Sequence, residues 1–108
     1  MEEKFTAVYL MVRLDELKPE DQGSFEGPLA QQREECLEFL KNHLGGKIEE
    51  RVEVYTRRAQ LLVDVDRHLI KRVIVHSMDC LASSKEDLDG ILFEFGMEGI
   101  EVLSVTGK

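Results

Sequence analysis

Three carboxylates stand where an α/β chain would place its chemistry. Asp15 and Glu16 leave one apolar run, and Asp79 leaves another. If those runs are neighbouring strands, the three acids meet at one rim and can hold Mg²⁺, which takes one or two carboxylates plus waters. The plainer reading is a set of solvated loop acids in an acidic protein. Cys80 follows Asp79 and becomes a nucleophile only if a nearby helix N-terminus lowers its pKa. No histidine is placed beside it by spacing, and an inert thiol is the simpler account. His76 ends a buried run and reads as a structural or rim residue rather than a general base. Arg57, Arg58, Arg67, Lys71 and Arg72 gather positive charge in one third of the chain. Asp64 and Asp66 interrupt them, which favours a solvated mixed-charge face over a phosphate-binding one. Gly45-Gly46 ends a helix instead of beginning one, so it makes no phosphate loop.

The segment Lys71 to Phe95, KRVIVHSMDCLASSKEDLDGILFEF, positions most of these groups. Val73-Ile74-Val75 is β-branched without polar alternation, as in a strand buried on both faces. A polar turn follows at His76-Ser77-Met78-Asp79. Ser84 then caps a helix, with Lys85-Glu86-Asp87 placing acids in its first turn. Leu88, Ile91, Leu92 and Phe95 recur at the spacing of one buried helix face, and Gly96 is positioned to close the helix. In open parallel sheets the site forms in the loops after the strands, so attention falls on residues 76 to 84.

The remaining elements follow in order. FTAVYLMV, from Phe5, reads as a strand, and a polar loop covers roughly 17 to 27. Leu29, Cys36, Leu37, Leu40 and Leu44 share a helical face that Gly45-Gly46 ends. IEERVEVY, from Ile48, reads as a strand with a wetter face. Apolar residues at 61, 62, 65, 69 and 70 predict a short helix over 60–70, and GIEVLSVT, from Gly99, a last strand. The strands are expected near 5–13, 48–55, 72–77 and 99–105, with the longer helices near 29–44 and 84–95. This alternation predicts one three-layer α/β/α domain on a mainly parallel sheet of four or five strands.

Composition sets the outer bounds. With 108 residues, the chain suits a single core. A formal net charge of −8 argues against strong autonomous binding of nucleic acid. No run is long and apolar enough for a transmembrane helix, and MEEKF is no signal peptide. Two distant cysteines, Cys36 and Cys80, fit free thiols in a reducing cytoplasm. Together with three scattered histidines they offer no zinc spacing.

Four of these pieces resemble the catalytic domain of serine recombinases, the resolvase and invertase family. The likeness runs over roughly residues 5 to 106. AVYLMVRLDE is similar to that family's opening A-x-Y-x-R-V-S-T-D-E segment. Leu29-Ala30-Gln31-Gln32-Arg33 is similar to its S-L-x-x-Q-R helix start. VIVHSMDCLASSKEDL resembles the family's strand, D-R-L-x-R motif and helix, and GIEVLSVT its next strand, G-V-x-F-x-S-V. The resemblance implies a first strand lying between the second and the third.

The departures bear on activity. The family's nucleophilic serine aligns with Arg13, and its upstream arginine with Met11. Asp79 and Leu81 keep their places in the D-R-L-x-R motif, while Cys80 and Ser83 replace its arginines. The acid expected after the second strand aligns with Arg57, and the glycine and arginine that follow it in the family have no counterpart before Leu61; Gln32 is retained. Phosphoryl transfer depends on positioning and on cations around the phosphate, so a site without them is expected to be silent. Ser77, Ser83 and Ser84 supply hydroxyls, but at none of the required places. In the family a long dimerising helix and a DNA-binding domain follow, and with the sequence ending at Lys108 both are expected to be absent.

The favoured reading is therefore a degenerate recombinase-like domain, needing no cofactor, that acts through protein contacts or persists as a mobile-element relic. Its expected partner is a second copy or another recombinase-like protein, with Phe93, Met97 and Leu103 at the contact. DNA binding is expected to be weak or absent, and no membrane is involved. The alternative is a small Mg²⁺-dependent enzyme or phosphoacceptor-type signalling domain built on the Asp15, Glu16 and Asp79 rim.

Overall fold

A computed structural model of the chain describes residues 4–11, 26–48, 50–82 and 84–106. Its elements run β1 (Phe5–Tyr9), α1 (Glu26–His43), β2 (Val52–Tyr55), α2 (Arg58–Asp66), β3 (Ile70–Val75), α3 (Lys85–Met97) and β4 (Glu101–Ser104), with a 3₁₀ turn at Met78–Cys80. The four strands form one sheet in the order β2-β1-β3-β4. Every pairing is parallel. The first strand lies between the second and the third, as expected.

The strand period of two divides the core into two layers. Phe5, Ala7 and Tyr9 of β1, with Val73 and Val75 of β3, pack beneath Leu61 and Val65 of α2 and Ile91 and Phe95 of α3. Val8, Leu10 and Ile74 face the other way, onto Cys36 and Leu40 of α1. Val73, Ile74 and Val75 are wholly buried, which is why their run shows no polar alternation. β2 is an edge strand, and its Val54 is exposed.

Helix ends follow local chemistry. The Ser84 hydroxyl accepts the Asp87 N–H at 3.1 Å, the expected cap of α3. The other end differs from expectation: Gly96 lies inside α3, and Gly99 takes the positive φ of 72° that closes it. α1 begins at Glu26, ahead of the expected start, because Pro28 in a first turn lacks only an N–H that needs no helical partner. α2 covers 58–66 instead of 60–70. The chain turns at His68, with φ of 61°, and Ile70 opens β3, so Ile70 and Lys71 belong to a strand expected to begin at residue 72. Apolar residues at 69 and 70 fit the helix period but serve the next strand. The outer strands are also shorter than their apolar runs.

Alternation likewise separates the residues expected at one dimer contact. Phe93 and Met97 stand exposed on α3, whereas Leu103 packs against the α1 side of the sheet.

At the N-terminal ends of the strands, Thr6, Arg72 and Glu101 lie in one row across the sheet. Arg72 donates to Glu101 at 2.6 Å, to Glu50 at 2.8 Å and to the Thr6 hydroxyl at 3.2 Å. Thr6 in turn donates to Glu50. Lys71 and His43 flank the group, at 3.6 Å from Glu50 and 3.4 Å from Glu101. Burial raises the Glu50 pKa, but the Thr6 hydrogen bond and the Arg72 and Lys71 charges outweigh it and hold the carboxyl below its ordinary range. The Arg72 hydrogen bond does the same for Glu101.

Candidate functional site

The C-terminal ends of the strands form the opposite rim, where ligands bind in open parallel sheets. β1 continues through Leu10, whose N–H donates to the Tyr55 carbonyl at 2.8 Å, to Met11. Gln32 of α1 then clamps that residue from both sides. Its Nε2 donates to the Met11 carbonyl at 2.7 Å, and its Oε1 accepts the Met11 N–H at 3.1 Å. Gln32 thus holds the end of the first strand against the first helix.

β3 gives way to His76 and Ser77 and then to the 3₁₀ turn. This turn is closed by the N–H groups of Cys80 and Leu81, which donate to the carbonyls of Ser77 and Met78. Cys80 is 9% exposed. Its thiol donates to the Met11 carbonyl at 3.8 Å and lies 3.7 Å from the Ser77 hydroxyl. Between these two strand ends lies a cleft of about 170 Å³, lined by Tyr9, Met11, Arg58, Asp79, Cys80, Leu81 and Ala82.

Charge in the cleft is sparse. Arg58 reaches it from the first turn of α2 and is tied to Asp87 of α3 at 3.0 Å. Its Nε is buried without a hydrogen-bond acceptor among the described residues. Burial pushes the Tyr9 phenol above its ordinary pKa, with the Arg58 charge pulling the other way. Asp79 contributes a carboxylate at the exposed lip. The remaining lining is thioether, thiol and aliphatic. Such a surface offers little to a phosphodiester, which needs several cations and backbone donors.

The expected site residues separate in an informative way. Met11, Asp79 and Cys80 do converge on the cleft, with Gln32 supporting Met11. Arg57 does not: it precedes α2, is exposed, and lies over a different depression with Glu53, Tyr55, Gln60 and Asp64. Arg13, Asp15, Glu16 and Ser83 lie outside the described residues. The carboxylate rim for Mg²⁺ thus rests on Asp79 and two of these. Among the described residues no three His, Cys, Asp or Glu side chains are grouped to hold a metal ion. His76 is engaged with Glu35 of α1 at 2.6 Å.

The basic third of the chain is not one face. Arg57 and Arg67 are exposed, Arg58 enters the cleft, and Arg72 is enclosed at the far end of the sheet. Arg58 and Tyr9 were not anticipated as site residues. A signal for Arg58 does exist in the sequence: residues 58, 61 and 65 follow the i, i+3, i+7 pattern of the buried face of α2. That register turns Arg58 inward and leaves Arg57 ahead of the helix.

No protein-family model matches the chain, and no curated protein matches it in sequence.

Proposed function

We propose that this chain is a resolvase-like domain without strand-exchange chemistry, working through protein contacts. The observation that carries the reading is the make-up of the cleft. Where the resemblance asks for guanidinium groups around a phosphate, the C-terminal rim presents Met11 and Cys80, and Arg58 is tied to Asp87. The strand order β2-β1-β3-β4 supports the likeness, and Arg13 at the nucleophile's place supports the loss of activity. An arginine has no hydroxyl with which to form a phosphodiester linkage. A domain that keeps its fold while lacking its cations retains only its surfaces to act with, and its partner would be another protein chain. Buried free thiols at Cys36 and Cys80 support a reducing, cytoplasmic setting, and no described helix is long and apolar enough to cross a membrane.

The test is incubation with supercoiled plasmid, followed by denaturing electrophoresis. The reading expects neither nicks nor protein-linked DNA, and residual DNA binding that disappears at moderate salt. A covalent adduct lost on Ser77→Ala, Ser83→Ala or Ser84→Ala would overturn it.

A further inference from the structure

The inference rests on the protein-contact reading and narrows its partner. We propose that the outer crest of α3 is a docking surface for a basic segment with an apolar anchor, such as an amphipathic helix carrying Lys or Arg around leucine-like side chains. The inner face of α3 is complete: Ile91 and Phe95 are buried and Leu88 and Leu92 pack beside them. On the helical wheel Phe93 and Met97, one turn apart, lie on the side opposite that face. They are 70% and 73% exposed, against 36–43% for the other exposed large apolar residues among those described.

Gly90 and Gly96 flank Phe93 at i−3 and i+3, both within the helix. Glycine there is destabilising relative to alanine. A Cβ at either position would meet nothing within 4 Å, so no contact among the described residues calls for a missing side chain. The pair leaves a hollow on each side of the Phe93 ring, suited to a closely approaching chain.

Charge decides what approaches. Glu86, Asp89 and Glu94 surround the crest, all exposed. None is in an ion pair among the described residues, whereas their neighbours Asp87 and Glu98 are engaged by Arg58 and His68. Lys85 is the crest's opposing charge, at its N-terminal end. A second copy docking crest to crest would set acids against acids, in a chain already at −8. A basic segment would instead pair with all three while its apolar anchor covers Phe93 and Met97.

The probe is a fluorescent amphipathic Leu/Lys peptide, with a Leu/Glu peptide of the same pattern as comparison, titrated by anisotropy while sedimentation records oligomeric state. The Leu/Lys peptide should bind, more weakly as salt rises, and the Leu/Glu peptide should not. Binding should fall at least tenfold in F93S/M97S and in E86K/D89K/E94K. It should change less than twofold in E34K/E38K, which alters equally exposed acids on α1. Gly96→Ala should weaken binding severalfold without loss of helical circular dichroism. Equal loss in the α1 variant would reduce the effect to general attraction between an acidic protein and a basic peptide, and would overturn the proposal. So would a dimer dissolved by F93S/M97S, since the occupant would then be a second copy. Neither result bears on DNA cleavage, so this inference can fail while the protein-contact reading stands.

Discussion

The two ends of the sheet treat an inward-turned arginine in opposite ways. At the N-terminal ends of the strands, Arg72 is 17% exposed and satisfied by Glu50, Glu101 and the Thr6 hydroxyl. At the C-terminal ends, Arg58 holds one carboxylate and keeps a buried Nε without an acceptor among the described residues. The first arrangement joins β1, β3, β4 and the approach to β2, so its worth is architectural. The second lies at the rim where parallel sheets bind ligands and is thinly built. Strong cation pairing marks the part of this domain that holds itself together, and the place of expected chemistry is largely apolar.

Variants at the two ends can break that comparison. Arg72→Ala should have the largest effect. It takes the guanidinium from the enclosed Glu50 carboxylate, leaving Thr6 and Lys71, and from Glu101, at a cost of about 3 kcal/mol, the lower part of the range for breaking a buried pair. Urea denaturation should show this as a lower midpoint with an unchanged slope. A loss under about 1 kcal/mol would place the network with ordinary surface pairs.

Acid should find the same end first. Glu50 and Glu101 have folded-state pKa values below their ordinary one. Their stabilisation is therefore complete above the unfolded glutamate pKa of about 4.3 and is lost as pH falls through the lower folded values. Stability measured from pH 6 downward should stay flat to near pH 5 and then decline, and Arg72→Ala should flatten that decline. A decline of the same steepness in the variant would assign the acid sensitivity to other carboxylates.

Smaller effects belong to the C-terminal rim. Gln32→Ala removes two hydrogen bonds to the half-buried Met11 backbone and should cost about 1–2 kcal/mol. Arg58→Met breaks a pair whose partners are 37% and 41% exposed. It should cost under about 1 kcal/mol, and removing the unaccepted Nε offsets part of that. If Arg58→Met proved as damaging as Arg72→Ala, the two ends would not differ as described.

Much of this fold was legible because its signals are local. The Val73-Ile74-Val75 run, the Ser84 cap and the 88/91/92/95 spacing each report a physical requirement of one element, and each is met. What was misread depends on which of two adjacent features tertiary packing uses. Gly96 and Gly99 both suit a helix end, and the positive φ falls on Gly99. Arg57 and Arg58 both follow β2, and the register of α2 turns Arg58 into the cleft. Leu69 and Ile70 continue a helical period and yet feed β3. The Arg72 network was hidden for a stronger reason. Its members come from four separate stretches, and only the strand register brings Thr6, Glu50, Arg72 and Glu101 together.

The central proposal is that, measured against the serine recombinases the sequence resembles, the rim lacks more than the nucleophile. The direct measurement is covalent capture of supercoiled plasmid by Arg13→Ser beside the unaltered chain, on denaturing gels at low salt. Each absent cation would be worth about 3 kcal/mol if it resembles a single oxyanion donor, so a hydroxyl introduced without those cations should remain silent. We expect no protein-linked DNA from either chain. Adduct formation by Arg13→Ser would show that the cleft still organises a phosphate, and would contradict the account.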